Sequence, residues 1–193
     1  MNVSQKNWFI YPFVTITLMV FSTSSIADTD IKTLMITCNA CHGDLGISEN
    51  NKWPNLAGQK EGYLLSQLKA FKDQSRKNEP MREVISNLTE NDLAKVAKYY
   101  ASLPFVKPTA SHVNNAGKNV RSTCISCHGM QGKTVNDTWP NLAGQNKGYL
   151  LKQLKDFSSK KRQSMIMNVI ASELNEQQMK DVAEYYEQQG SNK

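Results

Sequence analysis

The sequence predicts an all-α protein built from two tandem modules, one a copy of the other. Three observations carry this. Shifting the chain by 86 residues lays Cys38 to Tyr100 on Cys124 to Tyr186 without a gap. Apolar residues recur at helical spacing, as in Tyr63, Leu64, Leu68 and Phe71. No segment shows the alternation of a half-buried strand.

The elements follow in order. A first helix is expected through "DIKTLMITC" (30–38) and its counterpart "AGKNVRSTC" (116–124). "WPNLAGQ" at 53–59 recurs unchanged at 139–145. A second helix spans about 60–72 and 146–158, where "GYLLSQLKAF" meets "GYLLKQLKDF". A third opens with Thr89 and Asp92 in one module and Asn175 and Gln178 in the other, each pair suited to cap free first-turn N–H groups. It continues in an apolar stripe, Leu93, Val96, Ala97 and Tyr100, echoed by Met179, Val182, Ala183 and Tyr186. "SLPFVKPTASHVNN", with two prolines, links the copies. The expected division is residues 28–103, a linker at 104–113, and residues 114–193.

Residues 1–27 stand apart. A polar start with Lys6, an apolar run from Trp8 to Phe21 and small residues up to Ala27 read as a cleaved signal peptide. The run is short for a membrane span and is interrupted by Pro12. The expectation is an exported protein. The net charge is +6, and +5 without Lys6. A pI near 9.1 could point to nucleic acid, but an exported protein seldom meets any. Lys152, Lys155, Lys160, Lys161 and Arg162 read either as a docking face for an acidic partner or as a solvated helix face.

All four cysteines lie in "CNACHG" (38–43) and "CISCHG" (124–129). Cys-x-x-Cys-His is the attachment pattern of c-type haem. Thiols three residues apart on one helical turn reach the two vinyl groups on a haem edge, and the adjoining histidine becomes the proximal iron ligand. Cys38, Cys41, Cys124 and Cys127 are therefore the expected attachment residues, with His42 and His128 on the irons. Structural disulfides are the duller reading of an even cysteine count in an exported chain. A thiol–disulfide oxidoreductase would need a βαβ pattern, and zinc would need four convergent ligands.

The third histidine, His112, has no duplicate, so bis-histidine ligation of both irons fails on count. Methionine is the remaining duplicated ligand. Met81 pairs with Met167, and the polar stretch around Met81 speaks for ligation over core packing. Met165, in "QSMIMNV", is a rival to Met167. Pro54 and Pro140 follow the hexamers at a distance suited to accept the second ring N–H of each histidine. Trp53, Trp139, Tyr63 and Tyr149 could line the haem or fill the core, and core filling is the expectation for the tyrosines.

With its paired CxxCHG motifs, a "WPNLAGQ" after each, and a methionine seven residues before Leu88 and before Leu174, the chain resembles the cytochrome c4 family over essentially its whole mature length. The resemblance implies two class I cytochrome c-like domains packed about a pseudo-two-fold axis and two covalently attached c-type haems. Cys38, Cys41, His42 and Met81 would form the first site, and Cys124, Cys127, His128 and Met167 the second. It further implies a periplasmic electron carrier with no catalytic residues, attached to or near the inner membrane. Its partners would be redox proteins, a membrane-bound oxidase and a quinol–cytochrome c reductase. A haem subunit of a dehydrogenase or a dihaem peroxidase is the alternative.

Overall fold

A computed structural model describes Met1 and residues 30–105 and 110–190 of the chain. The expected signal peptide and the middle of the linker (106–109) lie outside the described residues. Nine α-helices run through the described chain: α1 Ile31–His42, α2 Glu61–Lys72, α3 Glu79–Ile85, α4 Glu90–Ser102, α5 Asn115–Val120, α6 Ile125–His128, α7 Lys147–Ser158, α8 Met165–Ser172 and α9 Glu176–Gln188. No strand occurs among the described residues. The helices α7 and α9 repeat α2 and α4 at an offset of 86.

The expected capping pairs are present. Thr89 and Asp92 form a capping box at α4, and Asn175 and Gln178 form one at α9. Each box satisfies two first-turn N–H groups reciprocally. The apolar stripes behind them are the cores. Val96, Ala97 and Tyr100 pack with Leu34, Met35 and Leu64, while Val182, Ala183, Tyr185 and Tyr186 pack with Leu150. Leu93 joins Phe71 and Ile85 in a smaller cluster.

Two features depart from expectation. Each module holds a further short helix, α3 or α8, beyond the three expected. Its sequence signals are the caps: the Asn78 and Ser164 side chains accept the N–H of Met81 and Met167 at 3.1 and 3.2 Å. A helix of seven or eight residues shows little periodicity, so only the cap betrays it. The first helix of the second module is also broken, with a 3-10 turn at Arg121–Thr123 between α5 and α6.

The modules are locked together by reciprocal hydrogen bonds. Gln59 Nε2 donates to the Asn141 carbonyl at 3.0 Å, and Gln59 Oε1 accepts the Asn141 N–H at 2.8 Å. At the equivalent positions, Gln145 Nε2 donates to Asn55 O at 2.9 Å and Gln145 Oε1 accepts Asn55 N–H at 2.8 Å. Asn55 Nδ2 reaches the Gly144 carbonyl, and Asn141 Nδ2 reaches that of Gly58, both at 3.1 Å.

The same reciprocity caps α2 and α7 from the opposite module. Neither helix has a side-chain cap of its own. Instead Asp137 Oδ2 accepts the Gly62 N–H, and Asn51 Oδ1 accepts the Gly148 N–H. A Cβ on Gly62 or Gly148 would lie 2.2 or 2.1 Å from those oxygens, so a side chain there would displace the cap. The repeated "WPNLAGQ" and "GY" are thus interface sequence.

Gln145 and Asn55 are buried, so Gln145→Ala would leave a buried N–H and C=O of Asn55 without partners. The expected cost is about 2 kcal/mol. Urea unfolding should show a lower midpoint, and haem absorbance per chain should be unchanged.

Candidate functional site

Each hexamer closes one helical turn. Cys38, Cys41 and His42 occupy the end of α1, and Cys124 stands at the N-cap of α6 with Cys127 and His128 inside it. The His128 N–H bonds to the Cys124 carbonyl at 2.9 Å, which sets the turn. Gly43 and Gly129 end these helices with φ of 77° and 79°, a region L side chains rarely adopt. A Cβ on Gly43 would fall 1.9 Å from the Ile47 carbonyl oxygen. The turn therefore folds tightly back under the histidine.

All four thiols are free. Cys38 and Cys124 pack against the two apolar cores, and burial pushes both thiols up despite hydrogen bonding from nearby hydroxyls. Among the described residues no three His, Cys, Asp or Glu side chains converge as a metal-ion site.

His42 and His128 are buried. The Nδ1–H of each donates to the carbonyl of Pro54 at 3.0 Å and of Pro140 at 2.9 Å. A carbonyl can only accept, so the proton is on Nδ1 and the Nε2 lone pair is open. Burial pushes each imidazole's pKa down, and the proline carbonyl offsets part of this. A neutral ring with a fixed tautomer is the form that binds a metal.

Met81 and Met167 each sit at the third residue of a capped helix, half-buried. Met81 also packs against the Phe71, Ile85 and Leu93 cluster, so its polar flanks did not exclude core contact. Met165 is the first residue of α8 and is 94% exposed. On a helix, two residues turn a side chain through about 200°, which separates Met165 from Met167.

The aromatic residues divide differently from expectation. Trp53 is 41% exposed and Trp139 half-buried, so neither fills a core. Tyr63 and Tyr149 are not core residues either. Their hydroxyls accept from Arg162 and Arg76 across the module boundary, both at 3.1 Å. The core tyrosines are Tyr100 and Tyr186, and their environments differ. Tyr100 Oη donates to Asn39 Oδ1 at 2.9 Å. Residue 125, the counterpart of Asn39, is isoleucine, so the buried Tyr186 Oη has no amide partner and only the weak sulfur acceptor of Cys124 beside it. It lies beside the Cys124 sulfur, whose thiol it perturbs.

Two helical C-x-x-C pairs of free thiols, two neutral imidazoles with Nε2 open, and a duplicated methionine make a donor set that fits covalent haem twice over. Fold and site together define a c-type cytochrome with two haems.

The comparisons make this specific. The Cytochrome c family model matches residues 115–189. Cytochrome c4 of Pseudomonas aeruginosa is 33% identical over 163 residues, covering 77% of this chain and 81% of that protein. The crystal structure of reduced recombinant cytochrome c4 from Pseudomonas stutzeri superposes with a TM-score of 0.75 at 29% identity, over 84% of this chain and all of that one. A thiosulfate dehydrogenase electron acceptor of Thiomonas intermedia is 29% identical, covering 77% of this chain and 76% of that protein. The chain belongs to the cytochrome c4 family. It carries covalently bound c-type haem and is an electron-transfer protein, not an enzyme.

The amide partner that Tyr186 lacks has a measurable consequence. Ile125→Asn should give Tyr186 the partner that Asn39 gives Tyr100. The expected gain is about 1 kcal/mol, seen as a higher unfolding midpoint, whereas Asn39→Ile should lower it by a similar amount.

Proposed function

We propose that this chain is a periplasmic carrier that moves single electrons between a donor and a terminal oxidase or reductase. In this reading Cys38 and Cys41 attach one haem and Cys124 and Cys127 the other. His42 and Met81 ligate the first iron, and His128 and Met167 the second. The bound haems supply a one-electron iron couple. The protein's own contribution is to hold each imidazole by its Nδ1–H on a proline carbonyl and each methionine at a capped helix start. The observation that carries the reading is the duplicated His–Pro bond behind each attachment motif. Two methionine-capped irons leave no open position for a substrate, which suits electron transfer.

Residues 1–27 support export with a cleaved signal, and the domain division 28–103 and 114–193 follows the repeat. No helix among the described residues is long and apolar enough to cross a membrane. Peripheral association with the inner membrane, where an oxidase and a quinol–cytochrome c reductase would meet the carrier, is part of the same proposal. The thiosulfate dehydrogenase electron acceptors among the relatives favour a second donor, an exported dehydrogenase of a reduced sulfur compound. Reduction rates of the holoprotein with each donor separate the two.

The lysine-rich segment is less free than its sequence implies. Lys152 pairs with Asp156, Lys155 pairs with Glu176 at 2.9 Å, and Arg162 is half-buried between the modules. Lys160 and Lys161 remain exposed. Lys160→Glu with Lys161→Glu should slow electron transfer to an acidic partner at low salt, and the difference should shrink as ionic strength rises. Equal rates at all salt concentrations would make the patch a solvated surface only.

The haem load is tested by mass spectrometry of acid–acetone-extracted protein, which should retain two haems per chain. The ligand assignment is tested by two variants. Met167→Ala should abolish the far-red sulfur-to-iron band of one haem and lower its potential, while Met165→Ala should spare both. Loss of the band in Met165→Ala would overturn the repeat register at the second site.

A further inference from the structure

The proline carbonyl that holds each imidazole is half of a peptide group whose other half faces the opposite module. Pro54 C=O and Asn55 N–H belong to one amide. Its oxygen accepts His42 Nδ1–H at 3.0 Å, and its N–H donates to Gln145 Oε1 at 2.8 Å. Pro140 C=O and Asn141 N–H form the matching amide. There the oxygen accepts His128 Nδ1–H at 2.9 Å, and the N–H donates to Gln59 Oε1 at 2.8 Å. Each histidine thus ends a chain of two hydrogen bonds that starts on a glutamine of the other module.

The glutamines cannot turn their oxygens away. Gln145 Nε2 donates to the Asn55 carbonyl at 2.9 Å, while its Oε1 also accepts the Asn146 N–H at 2.9 Å. Gln59 Nε2 donates to the Asn141 carbonyl at 3.0 Å, and its Oε1 also accepts the Lys60 N–H at 2.9 Å. His42, His128, Asn55, Gln59 and Gln145 are all buried, which shields the chains from bulk water.

An amide is one delocalised unit. Donation from its N–H draws electron density onto its oxygen and makes that oxygen a better acceptor. A better acceptor on Nδ1–H makes the ring more basic at Nε2, the atom left open for iron. Gln145 therefore acts on the first imidazole, and Gln59 on the second, without touching either. The first is held more firmly. Asn146 Nδ2 donates to the Trp53 carbonyl at 2.7 Å, on the other side of Pro54. Lys60, at that place in the repeat, has no amide to give.

We propose that Gln145 and Gln59 are positioning residues that set the reduction potential of the haem in the opposite module, each acting through a proline amide. This rests on the histidine ligation proposed above. A more basic imidazole favours the oxidised iron, so each glutamine lowers the potential of the haem across the boundary. By linkage the effect is reciprocal. A bond that favours oxidation is tightened by it, so the redox state of each centre is felt where the modules meet.

The test uses the holoprotein, with haem content checked by absorbance in every sample, so that failure of the two-haem assignment is seen separately. Gln145→Met and Gln59→Met remove the acceptor oxygen and keep the side chain's length. In the reduced protein, 15N-labelled histidine reports each Nδ1–H by NMR, and an NMR-followed redox titration gives both potentials. Gln145→Met should move the His42 Nδ1–H upfield, the direction of a weaker bond. It should also raise the first haem's potential, changing its redox equilibrium constant about threefold. His128 and the second haem should stay in place, and Gln59→Met should give the mirror result. Gln145→Glu keeps an acceptor against the Asn55 N–H, so the first potential should lie at or below that of wild type. Loss of packing alone would not produce that sign, and this variant decides the matter if the methionine variants do not mature. Both haems moving together, no crossed shift, or a raised potential in Gln145→Glu overturns the proposal. If either wild-type Nδ1–H lacks the ring-current shift of a bound haem, histidine ligation itself falls, and this proposal with it.

Discussion

The hydrogen bond from His42 Nδ1 to the Pro54 carbonyl, repeated between His128 and Pro140, is the contact on which the rest of the arrangement depends. It orients each imidazole, and the segment that supplies it does a second job. Asn55 and Gln59, within five residues of Pro54, grip the opposite module, and Asn141 and Gln145 grip back. Histidine orientation and module docking are therefore set by one stretch of seven residues. A shift of one module against the other would be felt at each imidazole, because Asn55 and Asn141 directly follow the prolines that hold the rings.

This coupling gives the duplication a physical meaning. A module of about 80 residues with short helices has limited capacity to bury apolar surface. Here each module completes the other. The N-termini of α2 and α7 are capped in trans by Asp137 and Asn51, and the buried amides of one are paired by the other. Neither half satisfies its own polar groups at this face, so the two-module unit is the natural unit of stability.

The copies are not equivalent. Asn146, whose counterpart is Lys60, gives its Nδ2 to the carbonyls of Ser48, Asn50 and Trp53, and nothing in the first module answers it. Tyr100 has Asn39, while Tyr186 has Ile125 in that place and no amide partner. The first helix is continuous before Cys38 and broken before Cys124. These differences lie beside the Cys-x-x-Cys motifs and the WPNLAGQ segments, where charge and hydrogen bonding tune a metal centre. They provide the structural means for the two haem environments to differ.

The sequence alone determined the repeat, the helical class, the attachment motifs and the proline partners, because each is a local pattern of spacing or composition. The capping boxes at Thr89 and Asn175 were legible for the same reason, since cap and partner stand three residues apart. The helices carrying Met81 and Met167 were missed, because one or two turns hold too few residues to show a period. Only the tertiary structure could decide the roles of Tyr63, Tyr149, Arg76 and Arg162. Their partners in the opposite module lie 73 to 99 residues away, and no local pattern encodes a contact across such a distance. It also decided that "WPNLAGQ" is an interface, because an asparagine or glutamine reads as polar surface until a second backbone is brought against it.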